Sequence, residues 1–200
     1  MPPRGSTAGI HEPEQKNPFR DVHQGDWFYD DVLYAYENGL MNGTQAQRFD
    51  PYTATTRGMI VTMLYRMEKE PPVQGKATFT DVLTGSYYEK AVIWAAENGI
   101  ATGVSAQRFD PDADITREQL AAILYRYAAY CGLQTPEYPA ALRGFSDQAS
   151  VSGYAVKAMQ WAVGEGLMQG SEGRLMPGSS ASRAQVAAIL HRFCESKADI

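Results

Sequence analysis

A hydroxyl residue followed by an arginine, and then by apolar residues at helical spacing, occurs three times in this 200-residue chain. The three pairs are Thr56-Arg57, Thr116-Arg117 and Ser182-Arg183. After the first pair, apolar residues stand at Ile60, Met63, Leu64 and Met67, and the other two copies keep that spacing. This i, i+3, i+4, i+7 pattern predicts an amphipathic helix with one buried face. The hydroxyl residue is then the N-cap of that helix.

The local sequence around each arginine predicts how the helix begins. Gln119 and Gln185 complete capping boxes, whereas the first copy has Met59 at this position and cannot form one. The arginine occupies the first helical position, beside unpaired N–H groups and the positive end of the helix dipole, where acidic residues are favoured. Because this unfavourable choice occurs three times, we predict that the arginine holds an anion together with the helix N-terminus. An inter-repeat salt bridge explains the same residues equally well.

These helix starts belong to a longer unit that also occurs three times. Each copy has an F-x-D opening, an aromatic residue, a first helix ending at glycine, a glycine-rich turn and a short extended segment. Arg57 lies 36 residues after Asp21, and the same interval separates the other two aspartate–arginine pairs. Units of this size are marginally stable alone, so we expect the three to share one core. We predict a polar linker at 1–16, repeat 1 at 17–72, repeat 2 at 77–132 and repeat 3 at 143–196.

Composition narrows the range of functions. The net charge of −5 argues against a nucleic-acid partner, which requires clustered lysine and arginine. No apolar run approaches the length of a membrane span, and the first residues lack a signal-peptide pattern. Cys131 and Cys194 have neither disulfide-scaffold nor metal-ligand spacing. The segment from Asp110 to Asp114 imitates a calcium loop, but Ile115 stands where that loop needs glycine. With no catalytic motif in the chain, we predict a protein that is not an enzyme and uses no cofactor.

The ordered set of repeated elements resembles the S-layer homology (SLH) domain, a module found in triplets on bacterial surface proteins. The resemblance rests on the F-x-D opening, the aromatic pair, the G-x-x-x-G turn, the F-x-P segment and the T-R-A-E-like helix start. It covers about residues 17–196. It implies a mainly α fold in which three helix-loop-helix repeats pack as a pseudo-threefold assembly with grooves between repeats.

The resemblance also implies a function. The family attaches proteins non-covalently to a secondary cell-wall polysaccharide that carries a pyruvylated amino sugar. The chain would then be a monomeric module of a larger surface protein, extracellular at the cell wall or S-layer, without membrane insertion. By motif, the candidate ligand-binding residues are the helix-start arginine, the F-x-D aspartate, the first aromatic and the second turn glycine. They are Arg57, Arg117, Arg183, Asp21, Asp81, Asp147, Trp27, Tyr87, Tyr154, Gly43, Gly103 and Gly170.

The repeats are not equal. Repeat 2 is nearest to the family pattern, which favours a groove that uses Arg117. Repeat 1 has Gly58-Met59 where the family has Ala-Glu, and Gly153 leaves repeat 3 with one aromatic of the pair. The fixed interval predicts that each aspartate and its own arginine meet at one recurring site per repeat.

Several residues have a structural explanation beside the functional one. The aspartates can cap the following turn, and Trp27 can pack as well as bind. Trp94 and Trp161, with Tyr34 at the matching place, are predicted core residues. A second repeated set, Arg66, Arg126 and Arg192, is predicted to bridge neighbouring repeats. Two other functions stay open, a helical-repeat interaction scaffold with structural arginines and a targeting module of a longer exported enzyme.

Overall fold

The computed structural model describes residues 17–198, so the linker predicted for residues 1–16 lies outside the described residues. Each repeat contributes two α-helices. They are α1 (Tyr29–Glu37), α2 (Arg57–Met67), α3 (Glu89–Glu97), α4 (Arg117–Tyr130), α5 (Val156–Gly164) and α6 (Arg183–Ala198). Two short 3₁₀ turns precede α5, at Gln148–Ser150 and Gly153–Ala155. Between residues 17 and 198 the β pairing consists of isolated bridges, which confirms the mainly α fold. None of the helices in this range is long and apolar enough to cross a membrane.

The helix ends follow the local sequence. The first helix of each repeat is followed by a glycine with positive φ, at 67° for Gly39 and Gly99 and 71° for Gly166, as a left-handed C-terminal cap requires. The second helix of each repeat begins at its predicted arginine. In the second helices of repeats 2 and 3, the cap and its glutamine satisfy each other's backbone N–H groups, so both predicted capping boxes form. Repeat 1 has only the Thr56 side-chain cap, which accepts from the N–H of Met59.

The repeats pack in a cycle. Helix α2 packs on α3, α4 on α5, and α6 returns to α1. At the segments that precede the second helices, three backbone hydrogen bonds close a ring. The Thr55 N–H donates to Ala181, the Ala181 N–H to Ile115, and the Ile115 N–H back to Thr55, at 2.8–2.9 Å. All three residues are fully buried. A closed ring of equivalent contacts is consistent with the pseudo-threefold assembly that the family resemblance implies.

One continuous apolar core lies between these helices. Trp94 and Trp161 are buried in it, as predicted. The Tyr127 and Phe193 rings meet at 5.5 Å between α4 and α6, and each also contacts one of the tryptophans. Tyr34 is only partly buried and stacks on His191, with ring centroids 3.9 Å apart. The three repeats therefore share a core instead of forming three separate ones.

The second glycine of each turn is required by close packing. A Cβ on Gly103 would overlap the ring of Phe79, which opens the same repeat, and the carbonyl oxygens of Ser105 and Arg108. Gly43 and Gly170 meet the corresponding rings, Phe19 and Phe145. The F-x-D phenylalanine thus packs directly on the turn glycine.

We expect Gly103→Ala to lower the free energy of unfolding by about 1–3 kcal/mol, because the added methyl group overpacks this contact. Gly144→Ala is the matched control, since a Cβ there meets open space. Urea denaturation of the two variants measures the difference. Equal stability of both variants would contradict the packing role of Gly103.

Candidate ligand-binding grooves

The three helix-start arginines reach out of their own repeats. All are 4–6% exposed. Arg57 donates from Nε to the carbonyl oxygen of Phe109 at 2.9 Å and from Nη2 to that of Thr102 at 3.1 Å. The other two make equivalent bonds, Arg117 to Leu175 and Gln169 at 2.8 Å, and Arg183 to Phe49 at 2.7 Å and Asn42 at 2.6 Å. Because Arg183 of repeat 3 returns to repeat 1, these contacts close a second ring. The inter-repeat role left open by the sequence is therefore present, with carbonyl groups as the partners.

Each guanidinium is a buried cation held by carbonyl dipoles. Burial lowers the pKa of Arg57, Arg117 and Arg183 from the ordinary arginine value. An arginine nevertheless stays protonated in proteins. Arg57 and Arg183 also lie over the rings of Phe109 and Phe49, at 4.8 and 4.5 Å from their centroids. Between residues 17 and 198, the hydrogen bonds of the three arginines use Nε and Nη2, which leaves Nη1 for a further acceptor.

The helix N-termini are not anion sites, and that part of the sequence prediction was wrong. At the start of α2, the N–H of Arg57 donates to Ala113 and the N–H of Gly58 to Pro111, both in repeat 2. The third N–H, of Met59, donates to the Thr56 side chain. Helices α4 and α6 show the same pattern toward repeats 3 and 1. The first-turn N–H groups that lack acceptors within the helix are therefore all paired with other protein groups, and none is left for a ligand.

The F-x-D aspartates hold the loop that receives the arginine. Both oxygens of Asp81 accept backbone N–H groups, from Phe109 at 2.9 Å and Asp110 at 2.8 Å. Asp21 and Asp147 make the same pair of bonds in their own repeats. Burial raises the pKa of Asp81, but these N–H donors outweigh it and leave that pKa lowered. The bond from Leu175 is the largest cause of the lowered pKa of Asp147.

The same loop carries a backbone outlier in every repeat. Asp50, Asp110 and Met176 have positive φ values of 54°, 61° and 52°. This conformation is uncommon for residues other than glycine, and most of all for a long side chain such as methionine. In every repeat, the residue with positive φ donates its N–H to the aspartate. The carbonyl group of the residue just before it accepts from the arginine. The aspartate and the arginine thus fix one loop between them, and they come from different repeats.

Three grooves lie at equivalent places around the cycle, and we number each by the repeat that supplies its turn and second helix. Each groove also takes a helix-start arginine from the preceding repeat and an aromatic residue from the following one. Groove 1 is lined by residues 40–44, Met59, Thr62, Met63, Arg66, Tyr87 and Arg183. Groove 2 is lined by residues 102–104, Arg57, Gln119, Ala122, Ile123, Arg126 and Tyr154. Groove 3 is lined by residues 167–171, Trp27, Arg117, Gln185, Ala188, Ile189 and Arg192.

The expectation of one site per repeat is therefore corrected. Arg117 shares groove 3 with Trp27 of repeat 1 and Gly170 of repeat 3, not with Asp81 or Tyr87. The three aspartates lie outside the linings of grooves 1 to 3. The fixed interval of 36 residues reflects one copied unit, in which the arginine acts on the next copy.

The predicted aromatic residues stand at the groove edges. Trp27, Tyr87 and Tyr154 are 56–60% exposed, which is unusual for such large rings. The predicted turn glycines Gly43, Gly103 and Gly170 line the same grooves. Of the twelve candidate residues, the structure brings the arginines, aromatics and glycines together in the grooves and leaves the three aspartates outside the groove linings.

A second arginine in each groove was missed by sequence reasoning. Arg66, Arg126 and Arg192 line grooves 1, 2 and 3. The prediction that they bridge neighbouring repeats was wrong, since within residues 17–198 none of them makes a hydrogen bond or ion pair to another repeat. Arg66 lies 3.9 Å from Glu70 of its own helix, and Arg192 donates to Leu167 of its own repeat at 3.2 Å. The informative sequence feature was that these arginines recur at the same position of each second helix, on a different face from the apolar residues.

The grooves differ in size and chemistry. Groove 3 has a volume of about 370 Å³ and groove 2 about 340 Å³, whereas groove 1 has about 240 Å³. Grooves 2 and 3 contain the capping-box glutamine, and groove 1 has Met59 in that position. Small-ligand sites usually exceed 300 Å³. Grooves 2 and 3 are therefore the better candidates.

The described residues give no support for a metal site or a reactive thiol. Across residues 17–198 no group of three or more histidine, cysteine or acidic side chains is arranged to hold a metal ion. Cys131 and Cys194 are free thiols, and burial raises the pKa of both. A raised pKa disfavours the reactive thiolate.

Comparison with known proteins supports the repeat assignment. The S-layer homology domain model matches residues 18–58, 78–121 and 144–187. Relatives include an endoglucanase of Bacillus sp. (strain KSM-635), 32% identical over 86% of this chain and 18% of that protein. An amylopullulanase of Thermoanaerobacterium thermosulfurigenes is 28% identical over 94% of this chain and 10% of that protein. A surface-layer 125 kDa protein of Lysinibacillus sphaericus is 28% identical over 79% and 13%. The chain thus spans less than a fifth of the length of these relatives.

We expect Arg183→Ala to lower the free energy of unfolding by about 3 kcal/mol, because two charge-assisted bonds are lost and two carbonyl groups lose their partner. Arg183→Lys should recover little, since an ammonium group cannot reach both carbonyl oxygens as the planar guanidinium does. Urea denaturation checks both variants. The control is the exposed Arg143→Ala, expected within about 0.5 kcal/mol of the parent. An Arg183→Ala variant as stable as the control would exclude the ring of arginine contacts as a determinant of stability.

Proposed function

The chain belongs to the S-layer homology domain family, and from that premise we propose that it is a carbohydrate-binding anchor and not an enzyme. The family and the relatives support a cell-surface anchoring module. The finer proposal is that the grooves between repeats bind a secondary cell-wall polysaccharide through a pyruvylated amino sugar. Relatives of much greater length support the view that the chain acts as a module of a larger surface protein.

One observation carries this proposal. Each groove combines two arginines, an exposed aromatic ring and a tightly packed glycine turn, and does so with residues from all three repeats. A net charge of −5 gives no general attraction for anions, so an anion must be recognised by local geometry. Two arginines facing one concave site provide that geometry.

We assign separate tasks to the residues of groove 3. The carboxylate of the pyruvate ketal accepts from Nη1 of Arg117 and from Arg192. The Nε and Nη2 groups of Arg117 keep their hydrogen bonds to repeat 3. The Trp27 ring stacks on a sugar face, and the glycine turn allows the sugar to approach the backbone. Bonds to charged groups contribute roughly 1.5–3 kcal/mol each, so a few give useful affinity.

The aspartates act indirectly in this proposal. Asp21, Asp81 and Asp147 keep the loop in the conformation that orients the arginine, because their oxygens are occupied by backbone N–H groups. Their replacement would then weaken binding through the position of the arginine. No sugar contact is needed from them.

A second candidate function is a helical-repeat interaction scaffold, in which the same arginines serve stability alone. The bonds from Arg57, Arg117 and Arg183 to the next repeat favour it as far as those residues are concerned. It gives no reason for Arg66, Arg126 and Arg192 to line the grooves beside exposed aromatic rings. The second set of arginines therefore separates the two functions.

We expect isothermal titration calorimetry to show binding of isolated wall polysaccharide that retains its pyruvate ketal, and a loss of at least about 10-fold in affinity when the ketal is removed. Arg192→Ala should weaken binding without the instability expected for Arg183→Ala, since Arg192 makes a single bond within its own repeat. The matched control is the exposed Arg143→Ala.

Equal affinity with and without the ketal would contradict recognition of the carboxylate. Absence of binding to both polysaccharides, by a chain that is folded, would favour the interaction scaffold. Binding that is unchanged by Arg192→Ala would remove groove 3 from the proposal.

A further inference from the structure

The edge of groove 2 is built differently from the edges of the other two. In grooves 3 and 1, the exposed ring packs edge-to-face on the next residue in the chain, which is a buried ring. Trp27 packs on Phe28 with centroids 5.2 Å apart, and Tyr87 packs on Tyr88 at 5.0 Å. In groove 2 the residue after Tyr154 is Ala155, which is fully buried but offers no ring.

In groove 2 a side chain of the preceding repeat, Glu118, binds the segment that precedes Ala155. It is the second residue of α4 and is buried, with 8% of its surface exposed. Its carboxylate accepts from the Ser152 N–H at 2.9 Å, the Ser152 hydroxyl at 2.8 Å and the Tyr154 hydroxyl at 3.3 Å. A buried carboxylate needs such donors, because burying it unpaired is costly.

The equivalent positions in α2 and α6 carry small residues, Gly58 and Ala184. A Cβ on Gly58 would lie 2.9 Å from the Pro111 carbonyl oxygen and 3.1 Å from the Tyr88 ring, so the loop and the buried ring of the following repeat together leave little room for a large side chain. The sizes of the two side chains that face each other across the repeat interface therefore vary in opposite directions. A ring in the following repeat accompanies a small residue at this position, and Ala155 accompanies glutamate.

We propose that Glu118 is a positioning residue for groove 2, where its carboxylate holds Tyr154 at the groove edge in place of the missing ring. The inference rests on the proposed function, since it assigns the residue that sets the ligand-binding geometry of one groove. Burial, and then the charge and hydrogen bond of Glu118, raise the pKa of Tyr154 to about 12, so the phenol stays protonated and remains a donor to Glu118 at neutral pH. The hydroxyl is then committed to the protein, and the ring face remains for the sugar.

The test isolates groove 2. In a Trp27→Ala, Tyr87→Ala background, which removes the aromatic edges of grooves 3 and 1, calorimetry measures affinity for isolated wall polysaccharide that carries its pyruvate ketal. Glu118→Ala should weaken binding about 10-fold. Tyr154→Phe, which keeps Glu118 and the ring, should weaken binding by a smaller factor. Glu118→Gln retains an acceptor oxygen and should recover most of the affinity.

A double-mutant cycle separates positioning from general damage. If Glu118 acts through Tyr154, Glu118→Ala should cause no further loss in a Tyr154→Ala chain. Tyr52→Phe in the same background is the matched control, because Tyr52 is exposed, lies outside the linings of grooves 1 to 3, and has no hydrogen bond from its hydroxyl between residues 17 and 198. That substitution should leave affinity unchanged, and thermal unfolding with and without polysaccharide verifies that each variant is folded.

Each outcome has a definite meaning. If the parent chain does not bind, the proposed function fails, and this inference fails with it. If the parent binds but the background variant does not, groove 2 is not a binding site and the inference is overturned. It is also overturned if Glu118→Ala matches its background in affinity, or if its effect persists without Tyr154.

Discussion

Every second helix of this chain begins with backbone N–H groups that its own repeat cannot satisfy, and the rest of the structure depends on how they are paired. The first two N–H groups of α2 donate to the loop of repeat 2, and those of α4 and α6 donate to repeats 3 and 1. The arginine side chains reach into the same loops. Because unpaired buried N–H groups are costly, each repeat needs the next one to satisfy its hydrogen bonds. Repeat 3 in turn donates to repeat 1, so these contacts form a closed ring.

This constraint explains why the loop is so closely controlled. An aspartate binds two of its N–H groups, and a left-handed residue such as Met176 turns its backbone. The arginine of the preceding repeat binds its carbonyl group. The grooves are a consequence of the same ring, since each needs three repeats in place. In our proposal binding and assembly are therefore inseparable, while each groove still varies on its own, through Met59 in groove 1 and Glu118 beside groove 2.

The features that local patterns determine were predicted well. The starts of α2, α4 and α6, their caps, the terminal glycines and the two buried tryptophans depend on residues a few positions apart. The partner of each arginine depends on how whole repeats are arranged, and the spacing within a copy carries no information about that. The same limit led to the prediction of helix N-termini open to an anion, and it hid Arg126 and Arg192 as groove residues. The role of Glu118 could not be predicted from the sequence, because it depends on contacts with the segment around Ala155 in another repeat.

The most direct test of the central claim is a crystal structure of the chain with a polysaccharide fragment that ends in a pyruvylated amino sugar. We predict the carboxylate within hydrogen-bonding distance of Arg117 and Arg192, the sugar ring against Trp27, and Arg117 still bonded to Leu175 and Gln169. The ligand would then touch all three repeats at once. A fragment bound by residues of a single repeat, or bound outside grooves 1 to 3, would contradict the account.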